Sequence, residues 1–260
     1  MELSVTASLL GALVIAVALA GLHLLAPRIR GLPGVPEAAT ASFAGGIAVA
    51  YVFLHLLPEL AEGNEGVAEA LREQVQATPL LDLAIFLVAL AGFVLFYGLE
   101  RLARGTRGQG AEREASDPPA GVFFLHLGSF TVYNALITYT MPLRLRTGIL
   151  FALLFTLAMG LHFVLTDRGL GENYPRRFRA WGRYVLAGGL VAGWVLTALF
   201  APTNTLVVSL LTAFLTGSVL LNVFKEELPS ERRSRFGWFC VGLVGYALLL
   251  GTVTALSQEV

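Results

Sequence analysis

The sequence predicts an all-α integral membrane protein with eight transmembrane helices in a single domain covering residues 1–260. Three observations carry that prediction. Apolar residues make up 56% of the chain and charged ones only 14%, against about 25% charged in an average soluble domain. Lys and Arg alternate strongly between the segments that join the apolar runs. Two stretches also spell nearly the same helix, FAGGIAVAYVFLHLLPE at Phe43–Glu59 and FLTGSVLLNVFKEELPS at Phe214–Ser230.

A span needs about 20 mainly apolar residues, and such runs lie at about 3–26, 40–61, 79–100, 119–141, 146–167, 181–200, 204–226 and 236–256. The first has no basic flank and exceeds the core of a cleaved signal peptide, so it is expected to be retained. The second and seventh are the similar pair, sharing Phe43/Phe214, Gly46/Gly217, Phe53/Phe224, Leu57/Leu228 and Pro58/Pro229. The third and eighth share little beyond glycine spacing. The fourth and fifth carry most of the intramembrane polar residues. The sixth and seventh are separated only by Ala201-Pro202-Thr203-Asn204, which reads as a tight turn. The charged, Gly- and Pro-rich segment 104–119 reads as a flexible cytoplasmic loop.

Placing the joining segments on alternate sides puts 15 Lys and Arg residues on one side and only Arg72, Arg144 and Arg146 on the other. The positive-inside bias then puts both termini outside the cytoplasm of a multi-pass plasma or inner membrane protein. The second span runs outward and the seventh inward. Similar helices of opposite direction are the inverted-repeat relation of many secondary transporters. The acidic segment 62–78, with Glu62, Glu65, Glu69 and Glu73, reads as a solvated surface helix or a collector of cations at an outer mouth.

Polar groups inside a bilayer are costly and mark pathways or partners. His126, Ser129, Tyr133 and Asn134 of the fourth span fall along one helical stripe, with Thr131 and Thr138 nearby. They line a pathway or hydrogen-bond to other helices. In the fifth span His162 faces Thr166 one turn on, whereas Asp167 is turned roughly 140° away in a regular helix. His55 and Glu59, at i and i+4 around Pro58, form a candidate outer cation site, and Glu226 and Glu227 occupy the equivalent place in the seventh span. His23, near the end of the first span, is expected at the interface. Cys240 is alone and reads as a small buried hydrophobe. No phosphate-binding loop, nucleophile elbow or HExxH motif occurs, so no enzyme is expected. The zero net charge gives no reason to expect nucleic acid.

These residues resemble the ZIP (zinc/iron permease) family of divalent-metal transporters. The second span, the phrase Gly92-Phe93-Val94-Leu95-Phe96-Tyr97-Gly98-Leu99-Glu100-Arg101-Leu102 and the stretch from Thr216 to Pro229 carry the resemblance. It implies eight spans with both termini outside, alternating access, and zinc or another divalent metal as cargo, with no resident cofactor. Its expected partners are membrane lipid, that metal ion and a second copy of the chain. Carried over by position, the metal residues are His162 and Asn134 in the membrane, with His55, Glu59 and Glu226 at the helix ends; His126, Ser129, Tyr133 and Thr166 line the pathway. Where the family typically has carboxylates in the fourth and fifth spans, this chain has Asn134 and Thr166, and Phe130 stands at the family's first histidine. The alternative reading is a ZIP scaffold that lost its metal site and carries another solute, or serves a regulatory or structural role.

Overall fold

The computed structural model describes residues 3–29, 34–72, 83–105, 120–200, 205–227 and 235–258. These form eight helices and, among the described residues, no strand. The helices are α1 (Val5–Leu25), α2 (40–72), α3 (Ala84–Gly105), α4 (Ala120–Thr147), α5 (Ile149–Asn173), α6 (175–199), α7 (205–227) and α8 (Phe236–Gln258). α1 starts where the Ser4 hydroxyl accepts the Ala7 N–H at 3.2 Å, satisfying a donor that a helix start otherwise leaves free.

Helix lengths differ from the expected spans at several ends. α2 runs on to Arg72, beyond the expected end of the span at 61, so Glu62, Glu65 and Glu69 continue the helix, as the surface-helix reading of this segment has it. α4 passes through Pro142 to Thr147, and the break between the fourth and fifth spans narrows to Gly148. α5 continues past Asp167 to Asn173. α6 begins at Pro175, six residues ahead of the expected span, and contains a π turn at Phe178–Gly182. The turn at 201–204 and the segment 106–119 lie outside the described residues.

α2 and α7 deviate from regular helix at matching places. α2 contains a π turn at Val52–Leu56, and α7 ends in one at Val223–Glu227, each 171 positions from its counterpart. In α2 the Leu57 N–H reaches back to the Val52 carbonyl. Pro58 follows at once; lacking an N–H, it already breaks the regular ladder, and the wider turn re-registers it. The rings of Phe53 and Phe224, equivalent positions in the two stretches, meet edge-on at 6.3 Å. The first half of α2 lies against the end of α7 and its second half against the start of α7, so the two run antiparallel.

Among the described residues, five glycines set the closest contacts between helices. A Cβ on Gly46 of α2 would strike the Phe239 carbonyl of α8, and one on Gly242 of α8 would strike the Phe43 carbonyl of α2. α3 and α7 repeat the arrangement, with Gly92 against the Phe214 carbonyl and Gly217 against the Ala89 carbonyl. Small residues permit this backbone-to-backbone approach, as in membrane helix pairs. α4 and α6 pack the same way, with Gly193 against the Ala135 carbonyl and the Thr138 hydroxyl.

The core lies between these pairs, around Tyr51, Tyr133, Met141, Phe155, Phe163 and Tyr246. The outside is apolar: Leu10, Val14 and Val17 of α1, Leu87, Leu90 and Val94 of α3, and Val241, Val244 and Leu248 of α8 are all exposed. Among the described residues, five helices are long and apolar enough to cross a membrane, over Val5–Leu25, Thr40–Asn64, Ile149–Glu172, Pro175–Leu199 and Phe236–Ala255. Ala84–Leu99 and Ser209–Lys225 are apolar but shorter, and α4 is diluted by its histidine, asparagine and hydroxyl groups. The molecule has the make-up of an all-α membrane protein. Cys240 on α8 is half-buried, so it is less enclosed than expected.

Candidate functional site

Three connected features run from one end of the bundle inward. The outermost is a vestibule of about 490 Å³ between the middle of α2, the end of α4, the start of α5, Thr212 of α7 and the end of α8. Its floor is a salt bridge. Arg144 of α4 donates from Nη1 to Glu59 Oε2 at 3.0 Å and lies 2.9 Å from Oε1 through Nη2, a two-pronged pair between α4 and α2. The guanidinium also sits over the Phe155 ring at 4.3 Å, a cation–π contact that adds to its hold. His55 lies beside the pair, its Nε2 3.9 Å from Glu59 Oε2 and its ring stacked on Phe151 at 6.2 Å. Thr140, Thr147, Thr212 and Thr254 supply hydroxyls to the wall.

Thr140, Arg144, Phe155 and Thr212 also border a second chamber beneath, closed in by Tyr51, Tyr133, Met159 and Thr216. Its volume is about 20 Å³, room for about one water. The Tyr133 hydroxyl donates to Met159 Sδ at 3.4 Å, and its ring meets that of His162 edge-on at 5.8 Å. Tyr133 therefore separates the chamber from a third, fully buried polar group.

That group joins α1, α4, α5 and α6. His23 Nδ1 lies 3.0 and 2.9 Å from the two Asp167 carboxylate oxygens, and Asn134 Nδ2 lies 2.9 Å from His23 Nε2. The same Asn134 nitrogen donates to the Leu186 carbonyl at 3.2 Å. Phe163 stacks on the imidazole at 4.6 Å. His23 is 1% exposed, Asn134 1% and Asp167 4%, so the arrangement is shielded from bulk solvent. One turn along α4, Thr138 donates to the Leu190 carbonyl at 2.7 Å and closes the contact with α6.

The sequence-derived residues divide accordingly. His55 and Glu59 do come together, with Glu59 held by Arg144. Asn134 and His162 both lie in the buried interior, His162 Nε2 being 3.5 Å from Thr166 Oγ1. His126 is turned towards Tyr174, whose hydroxyl lies 3.2 Å from its Nδ1. Ser129 donates to the Leu125 carbonyl of its own helix at 2.8 Å. The Glu226 and Glu227 side chains lie outside the described residues. Among the described residues, no three His, Cys, Asp or Glu side chains gather into a metal-holding group.

His23 corrects the sequence reading: it is not interfacial but paired with Asp167, because α5 continues as helix past Asp167 and turns that carboxylate towards α1. An ionisable residue near the end of each of two spans was the available signal, since such groups in a membrane seek one another. Arg144 was likewise legible as one of the few basic residues on its side, level with Glu59.

No family model, no curated protein and no solved structure matches this chain.

Proposed function

We propose that the chain is a membrane transporter of eight spans, built on a ZIP-like inverted repeat and working by alternating access. The observation that carries this reading is the one-ended route: a wide vestibule, a narrow chamber with room for about one water, then a buried polar group between helices. An open end and a closed end around a buried polar site are what one stage of an alternating cycle requires. The inverted repeat is supported by the matching π turns, by the Phe53–Phe224 contact and by the parallel glycine contacts of α2 with α8 and α3 with α7.

The resemblance gives zinc or another divalent metal as cargo. One observation favours a second reading, a cargo of lower charge. Two of the three described carboxylates along the route are already engaged, Glu59 by Arg144 and Asp167 by His23, and the third, Glu62, stands exposed on the vestibule wall. A bare dication in a dry site needs closely placed negative charge to offset its lost hydration.

The test is uptake into proteoliposomes of native chain, His162→Ala and Asp167→Asn, together with labelling of Met159→Cys in a Cys240→Ala background. Zinc uptake that depends on His162 and Asp167 favours the metal. No zinc flux, with Met159→Cys labelled by impermeant reagent from each side in turn, leaves a transporter of a less charged solute. Labelling from neither side or from one side alone, without flux, sinks transport.

A further inference from the structure

The vestibule offers a solute one fixed cation and a surplus of acceptors. Among the described residues, Arg144 is the only Lys or Arg on its wall, set against the carboxylates of Glu59 and Glu62. Thr140, Thr147 and Thr254 give their hydroxyl hydrogens to carbonyls of their own helices, at Leu136, Leu143 and Leu250. The cavity therefore meets these hydroxyls as oxygen acceptors.

Glu59 takes only one edge of the guanidinium. It is held through Nη1 and Nη2, the end of the fork, at 3.0 and 2.9 Å. Nε–H and the second hydrogen of Nη2 form the other two-pronged edge of an arginine. Nε is buried and has no hydrogen-bond partner among the described residues. A donor left unmet away from water costs stability, so the guanidinium gains by turning this edge towards an acceptor that enters from the vestibule. Glu59 keeps its place.

We infer that the vestibule binds the zwitterion of an α-amino acid with an aliphatic side chain. Its carboxylate sits on the free edge of Arg144, and its ammonium lies among Glu59, Glu62 and the threonine oxygens. The two charges of such a ligand are adjacent, as are those of Arg144 and Glu59, so each meets its opposite. The tail lies on Leu54, Leu143 and Ala152, which line the same cavity, while one face each of Phe151 and Phe155 is already covered by His55 and Arg144. Simpler ligands fit less well. A plain anion would join two carboxylates set against one guanidinium, and a plain amine would leave Nε–H unmet. A dication would approach the positive charge of Arg144, which borders both the vestibule and the chamber beneath. The zwitterion adds no net charge. As cargo it rests on the second reading above, a solute of lower charge; as a bound ligand it does not.

The experiment uses the full chain in lipid nanodiscs, with radiolabelled L-leucine as the probe and empty nanodiscs as the blank. Leucine should bind saturably. 4-Methylpentanoate, which lacks the ammonium, and 3-methylbutylamine, which lacks the carboxylate, should each compete at least about tenfold more weakly, the loss of one charge-assisted contact. Glycine, without a tail, should also bind about tenfold more weakly. Arg144→Lys keeps a charge opposite Glu59 but removes the free edge, and should weaken leucine binding about tenfold, with folding checked by the thermal midpoint. If that variant does not fold, the ligand series on the native chain decides alone. No saturable leucine binding, equal binding of glycine or of either single-charge analogue, or native affinity in folded Arg144→Lys would each overturn the proposal. Leucine binding without leucine uptake in proteoliposomes would count against transport alone, and uptake indifferent to Arg144→Lys against this site alone.

Discussion

At the scale of single residues, the buried Asp167 is sensitive because its carboxylate is paired with His23. Removing one partner of a buried pair leaves the other without compensation, which typically costs about 3–5 kcal/mol. Asp167→Ala should therefore lower the thermal midpoint sharply in detergent, while Asp167→Asn, which still accepts from His23 Nδ1, should lose less; equal losses would mean that His23 depends little on its partner. Thr138→Val tests a smaller contact. It removes the 2.7 Å bond to the Leu190 carbonyl while keeping the shape, and should cost about 1 kcal/mol by chemical or thermal denaturation. His162, Asn134, Tyr133 and Glu59 were legible as polar groups in apolar surroundings. The pairing of His23 with Asp167 was not, because the two are 144 positions apart and periodicity relates only residues on the same helix.

At the scale of helices, glycines 46, 92, 217 and 242 decide how closely the pairs approach. Gly217→Ala would drive a methyl into the Ala89 carbonyl, and overpacking of this kind costs about 1–3 kcal/mol. Gly245→Ala, on α8 with open space beside it, should instead hold or slightly raise stability through helix propensity. The contrast is read by thermal unfolding of the two variants side by side; equal effects would mean that backbone contact does not govern the pairing. The glycine spacing shared by the third and eighth spans was visible in the sequence, but its meaning was not, since the carbonyls it accommodates belong to other helices. The second and seventh helices were legible from their text, and the proline after the π turn of α2 hinted at irregular backbone. The end of the fourth span was less legible: α4 continues past 141 through Pro142 to Thr147, as membrane helices can when neighbouring groups satisfy the freed carbonyl.

At the scale of the whole molecule, the route is open at one end. Single cysteines at Thr147 and Thr254, in a Cys240→Ala background, should react readily with a charged thiol reagent, and one at Asn134 should not. Mass spectrometry after brief labelling checks this; fast reaction at position 134 would mean that the inner polar group is not sealed. The eight-helix, all-α class was legible because apolar run length and loop charge follow directly from the bilayer's thickness and polarity. The vestibule was not legible, since it is made by the ends of five helices meeting in space.

That vestibule is also within the size range of small-molecule binding sites. Its floor offers a guanidinium and two phenylalanine rings, Phe151 and Phe155, so an aromatic carboxylate is the natural shape for a plug that competes with Glu59 for Arg144. Such a ligand would bind from one side only. Added to sealed vesicles, it would occupy just the molecules whose vestibule faces the medium, and the fraction occupied would count how the protein is oriented in the preparation.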